Sequence, residues 1–76
     1  MKKGIYKHYK GKLYKVTGFA RHSETLEEMV IYEALYDSEE FGYGATWVRP
    51  RKMFEEEVIV KGATYSRFMF VGDKLN

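Results

Sequence analysis

Along most of the chain, apolar and polar residues alternate with the period of β-strands, and glycine-bearing turns interrupt the pattern. "GIYKHY" runs to Lys10-Gly11, and "KLYKVTGFA" follows with Tyr14, Val16 and Ala20 on one face and Lys15, Thr17 and Arg21 on the other. That is the pattern of a hairpin. Gly18, inside the second run, predicts a bulge or sharp bend, the device by which a small sheet curls. A similar arrangement returns where Lys61-Gly62 joins "EVIV" to "TYSRFMFV". Both turns read Lys-Gly-x-x-Tyr, ending at Tyr14 and Tyr65, but two copies this short do not make a repeat architecture.

The middle of the chain carries two signals at once. Thr25 with Glu28 three residues on matches a capping box, in which the hydroxyl and the carboxylate satisfy free N–H groups at a helix start. Leu26, Met29, Val30 and Ala34 continue at helical spacing, yet Val30, Ile31, Tyr32, Leu35 and Tyr36 form a β-branched and aromatic run that suits a strand. The reading is one helical turn at 25–28 and a strand over 29–36. "DSEEFGYG" reads as a polar loop, "ATWVRP" as a strand ended by Pro50, and "PRKMF" as a short helical turn with Met53 and Phe54 pointing inward.

These elements predict a mainly β domain: a small curved antiparallel sheet or SH3-like barrel of five or six short strands with one or two single-turn helices. An α+β sandwich with 25–36 as a packing helix is the alternative. The whole chain, 1–76, reads as one small domain, with a frayed tail over about 73–76. Cysteine is absent, so disulfides, thiolate metal sites and cysteine nucleophiles are excluded, and stability rests on packing by seven Tyr, five Phe and one Trp. The basic start is not followed by an apolar run like that of a signal peptide, and no stretch is long enough to span a bilayer. A cytoplasmic domain with no membrane partner is the expectation.

Charge is distributed unevenly. The formal net charge is +2, and residues 1–23 hold basic groups but no acidic ones. Lys7, Lys10 and Lys12, interleaved with Tyr9, offer a surface for weak single-stranded nucleic-acid binding, in which lysines track phosphates and rings stack on bases. A solvated lysine face over core tyrosines accounts for the same pattern.

"HYKGKLYKV", "ARHSETLEEMVIYEALY" and "WVRPRKMF", in that order and spacing, resemble the short bacterial family called domain of unknown function 1653, from Gly4 to about Phe70. The residues that carry the resemblance are His8, Gly11, Tyr14, His22, Ser23, Glu24, Thr25, Tyr32, Leu35, Tyr36, Trp47, Val48, Arg49, Pro50, Met53, Phe54 and Phe68. The stretch "DSEEFGYGAT" is longer than the family's tight turn before Trp-Val-Arg-Pro. The resemblance implies a shared fold and a shared polar motif, with no activity attached.

His22 beside Ser23 invites a nucleophile-and-base reading, but adjacent residues on an extended chain face opposite ways. An unrecognised hydrolase is therefore the third reading. His8, His22 and Glu24 would make a metal triad only if the fold gathered them, since no short ligand spacing joins them. No metal or other cofactor is called for. Arg49 and Trp47, two residues apart on one strand, share a face and suit an anion with a flat group attached. The structural alternative is an Arg49–Glu24 ion pair bracing a core Trp47. The favoured function is a binding or interaction module taking a peptide, protein or small polar ligand at the His-Ser-Glu-Thr turn and the Trp-Val-Arg-Pro strand, through His22, Ser23, Glu24, Tyr32, Trp47 and Arg49.

Overall fold

A run of half-buried, β-branched and aromatic residues packs well only as part of a pleated sheet, and strands dominate the computed structural model, which describes residues 1–74. β1 (Gly4–His8), β2 (Leu13–Arg21), β3 (Glu28–Ala34), β6 (Thr46–Pro50) and β9 (Phe68–Gly72) form an antiparallel sheet in the order β6-β3-β2-β1-β9. Two hairpins stand apart: β4 (Asp37–Ser38) with β5 (Gly42–Tyr43), and β7 (Glu57–Val60) with β8 (Ala63–Ser66). One helical turn, α1 (Arg51–Phe54), follows β6 directly.

The sheet does not close, because β6 and β9 occupy its two edges and do not pair with each other. An open antiparallel sheet is therefore the form adopted, and a closed barrel is not. Residues 25–36 do not form the packing helix of an α+β sandwich either. Residues 23–25 make a turn and strand pairing begins at Glu28, so the expected helical turn at 25–28 is absent. The β2–β3 pairing closes this connection tightly: His22 N–H donates to the Glu27 carbonyl and Leu26 N–H to the His22 carbonyl, both at 2.8 Å. Leu26 adopts φ 63° to close the loop. That left-handed value is incompatible with continuing a helix.

Turn chemistry follows the expected glycines. Lys61 and Gly62 both have positive φ, 51° and 80°, the geometry that matches the twist of a two-residue hairpin. The bulge falls at Thr17-Gly18, where Val16 faces Tyr32 but Gly18 faces Ile31. One extra residue reverses the side-chain alternation beyond it. Phe19, opposite Val30, consequently joins the face of Val16, and Ala20 moves to the other face. The expected continuous run "TYSRFMFV" also divides, with β8 ending at Ser66 and β9 starting at Phe68. Arg67 sits at the break, its N–H on the Glu56 carbonyl and its carbonyl accepting from Tyr9 N–H.

Residues paired directly across strands lie on the same face. The concave face accordingly carries the rows Phe70-Tyr6-Tyr14-Ala34, Val16-Tyr32-Trp47 and Phe19-Val30-Arg49, with His8 opposite Phe68. Its core gathers Tyr6, Val16, Val30, Tyr32, Phe54 and Phe68. Phe54 arrives from α1 and stacks on Phe68 with centroids 4.0 Å apart and planes 2° from parallel. The edges of Tyr6 and Tyr32 meet Phe54 at 5.4 and 5.3 Å, and Tyr14 meets Phe68 at 5.5 Å. Met53, expected inside with Phe54, is exposed. A single helical turn presents only one of two adjacent residues to the sheet. Of the predicted tail, Asp73 and Lys74 form a bend, and residues 75–76 lie outside the described residues.

Phe54→Ala removes one member of the stack and leaves a cavity beneath a single helical turn. The expected loss is about 3–5 kcal/mol in chemical denaturation, enough to unfold much of a domain this small. At Gly4, φ is 134° and an added Cβ would lie 2.7 Å from the Gly72 carbonyl oxygen. Gly4→Ala should therefore cost about 1–3 kcal/mol, and an unchanged denaturation midpoint would refute this account of the β1–β9 approach.

Candidate functional site

The pairing register decides which of the sequence-derived site residues meet. Tyr32 opposes Trp47, and Val30 opposes Arg49, in the β3–β6 pair. Trp47 and Arg49 therefore do share the concave face. With Tyr14, Tyr32 and Tyr36 they line a cavity of about 220 Å³. His22, Ser23 and Glu24 do not reach it: they sit in the exposed β2–β3 turn, beyond the Arg21–Glu28 pair.

That turn is held by its own side chains. His22 Nδ1 accepts from the N–H groups of Glu24 (3.1 Å) and Thr25 (3.3 Å), and Thr25 Oγ1 accepts from Glu27 N–H at 3.2 Å. The histidine therefore organises the turn more than the expected threonine cap does. No hydrogen bond joins Ser23 to either histidine among the described residues, which leaves the nucleophile-and-base pairing without geometry. No group of three or more His, Cys, Asp or Glu among the described residues is placed to hold a metal.

No ion pair links Arg49 to Glu24. Among the described residues, ion pairs join Arg51 to Glu28 (2.8 Å) and Glu55 (3.0 Å), and Arg67 to Glu56 (2.7 Å). The Arg51 hydrogen bond holds the Glu28 carboxyl below its ordinary range, and Glu28 in turn raises Arg51. A recess of about 610 Å³ beside that pair, lined by Thr25, Glu27, Glu28, Arg51, Lys52 and Glu55, consequently has its arginine already paired within its own lining. Arg49 differs: it is half-buried, its guanidinium lies over the Phe68 ring at 5.6 Å, and no carboxylate meets it. Contact with the ring face stabilises the cation without neutralising it.

The walls of the 220 Å³ cavity are fixed from behind. Tyr14 and Tyr36 hydroxyls are 2.9 Å apart and hydrogen-bonded. Burial first, then the bond to Tyr36, pushes the Tyr14 phenol well above its usual range, so it stays protonated. Lys12 Nζ lies 4.8 Å from the centre of the Tyr36 ring. An adjoining cavity of about 480 Å³ shares Tyr36 and Trp47 and adds Ala34, Ser38, Glu39, Glu40, Phe41 and Ala45. Phe41 meets Trp47 edge-on at 5.1 Å, and the Ser38 hydroxyl braces the loop by accepting from Phe41 N–H at 3.1 Å. The long "DSEEFGYGAT" stretch thus folds as the β4–β5 hairpin and forms one wall of the cleft. No spacing along the chain joins Tyr14 to Tyr36; their meeting depends on β2 and the segment after β3 lying side by side, with Leu35 N–H donating to the Leu13 carbonyl.

The lysine-rich hairpin is split by the fold. Lys12 borders the aromatic cleft, whereas Lys7, His8 and Tyr9 line a different cavity of about 370 Å³ with Thr64, Tyr65, Ser66 and Met69. Lys10 lies over Tyr9 at 5.8 Å. His8 bridges the two regions, its ring 5.0 Å from Phe68 and 6.3 Å from Tyr14.

No helix among the described residues is long and apolar enough to cross a membrane. A family model described as "Protein of unknown function (DUF1653)" matches residues 4–70. Among solved structures, the chain is similar to a protein from Bordetella bronchiseptica whose crystal structure is described as belonging to DUF1653. The two are 35% identical over 95% of this chain and 88% of that one, with a TM-score of 0.83. No curated protein matches the chain.

Burial, and then the charges of Arg67, Lys10 and Arg49, lower the His8 pKa. The neutral ring is thus favoured in the folded state. Its contribution to stability is intact above the unfolded value, about 6.5, and is lost as pH falls through the lower folded value. Imidazole proton resonances should give a His8 titration midpoint below about 6.5. A midpoint at or above that value would mean that the cluster of positive charge around His8 is screened.

Proposed function

This chain belongs to the DUF1653 family, and from that premise we propose that it is a binding module whose ligand enters the cleft of Tyr14, Tyr32, Tyr36, Trp47 and Arg49. The observation that carries this reading is the unpaired, half-buried Arg49 at the end of an aromatic cavity. A guanidinium so placed retains the full hydrogen-bonding capacity of its fork, which suits a carboxylate or phosphate. Aromatic walls suit a flat group attached to that anion. All five lining side chains belong to the set through which the sequence resembles the family.

The His-Ser-Glu-Thr turn then acts as a structural turn, since His22 Nδ1 is taken up by backbone N–H groups. Single-stranded nucleic-acid binding by Lys7, Lys10, Lys12 and Tyr9 gains less support, because those lysines do not converge on one groove. The positive groups nearest the cleft, Arg49 and Lys12, favour an anion over the cation that an aromatic box by itself would attract.

Trp47 is the single tryptophan, so intrinsic fluorescence reports on this cleft directly. Phenyl phosphate and benzoate should change its emission saturably, while an uncharged aromatic of similar size should do so only weakly. Arg49→Met should abolish the response while changing stability by less than about 1 kcal/mol, since no buried carboxylate is left behind. His22→Ala should leave the response intact. Loss of binding in His22→Ala alone would return the site to the turn, and no response to either anion would defeat the cleft reading.

A further inference from the structure

We propose that the ligand of this cleft is a purine nucleotide with a terminal phosphate, guanine being the preferred base; the proposal rests on the cleft reading and specifies its chemistry. Charge is separated between the two adjoining cavities. The smaller one holds Arg49 and the three phenols, whereas the larger one holds Glu39, Glu40 and Ser38. None of Arg49, Glu39 or Glu40 is ion-paired among the described residues. Between them stand the shared walls, Tyr36 and Trp47, with Phe41 on the Trp47 ring.

A complementary ligand carries an anion at one end, hydrogen-bond donors at the other, and a flat ring that reaches the aromatic walls. An α-amino acid fails this test, because its carboxylate and ammonium are attached to the same carbon and cannot occupy both compartments. A simple aromatic acid satisfies Arg49 but offers nothing to Glu39 or Glu40. A nucleotide meets all three demands. Its phosphate accepts from the Arg49 fork in the smaller cavity, one wall of which is the Tyr36 ring that Lys12 lies over. The Tyr14–Tyr36 bond uses one of their two phenolic hydrogens, and the other remains to donate to a phosphate oxygen. The base lies against Trp47 and Tyr36, where stacking is available to any π-face.

The carboxylates supply selectivity. Guanine presents a ring N–H and an amino group side by side, which match a carboxylate's two oxygens, whereas adenine and cytosine present an amino group without that neighbouring N–H and uracil presents no amino group. Glu39 and Glu40 also repel phosphate, so they favour the orientation with phosphate inward. The order expected is guanine first, adenine and cytosine next, uracil last.

The test uses the full chain and Trp47 emission with guanosine, adenosine and uridine monophosphates, guanosine, and short oligoguanylates with and without a 5′-phosphate. Guanosine monophosphate should bind about ten-fold or more tightly than guanosine, because a charged hydrogen-bonded contact is lost with the phosphate. Glu39→Gln with Glu40→Gln should bring the guanosine and uridine monophosphates towards equal affinity, while phenyl phosphate binds at least as tightly as it does to the parent, since the two charges that repel its phosphate are gone. Both substitutions are exposed, so folding is not at risk. Binding of the free nucleotide identifies a metabolite-type ligand. Binding of the 5′-phosphorylated oligomer alone identifies the same nucleotide unit at a strand end. If phenyl phosphate binds but no nucleotide binds more tightly, or uridine monophosphate equals guanosine monophosphate, this proposal falls and the cleft reading survives. If nothing binds, both fall.

Discussion

The stack of Phe54 on Phe68 is the contact on which the rest of the structure depends. A five-stranded sheet that does not close exposes one face, and a chain of this length has few residues to cover it. Here one ring from a single helical turn and one from the first residue of the last strand meet over that face at 4.0 Å. Tyr6, Tyr14 and Tyr32 then turn their edges towards the pair, an arrangement that suits the positive ring edge and negative ring face. Because Phe54 belongs to α1 and Phe68 to the edge strand β9, their contact also holds α1 against the sheet.

The same closure leaves the cleft partly open. Phe68 supports Arg49 from the core, while Trp47, which lines the same cavity, is exposed. A guanidinium over a ring face keeps part of its hydration, so an unpaired Arg49 is tolerable where a fully buried one would not be. Burial first, and then the charges of Arg67, Lys10 and Arg49, lower the His8 pKa; of these three cations Arg67 has Glu56 as its partner, whereas Arg49 meets no carboxylate. The Arg51 network on the opposite side of α1 is complete within itself and has no such deficit.

The β4–β5 hairpin shows how a loop changes a site without changing the fold. Its residues add Ser38, Glu39, Glu40 and Phe41 to a cleft whose remaining walls belong to the sheet. Variation in this loop changes the lining of that cavity, while Arg49 and the tyrosines stay in place on strands and strand ends.

Much of the fold was legible because the rules that set it are local. Period-two alternation marked β1, β2 and β6, Lys61-Gly62 marked a hairpin, and Gly18 marked the bulge. Alternation on one strand also put Trp47 and Arg49 on a common face. Two local readings failed where a single residue changed the count: the bulge at Thr17 moved Ala20 off the Val16 face, and φ 63° at Leu26 ended the helical turn suggested by Thr25 and Glu28. What the sequence by itself determined, then, was the class of the fold and the facing of residues along a strand as far as its first bulge. Which residues form the cleft was decided only by tertiary structure. Pairing of β2, β3 and β6 carries the His22–Glu24 turn to one end of the sheet and brings Tyr14 to Tyr36 across 22 positions. Strand order and register are non-local, set by which apolar faces can be buried together, and no spacing along the chain encodes them.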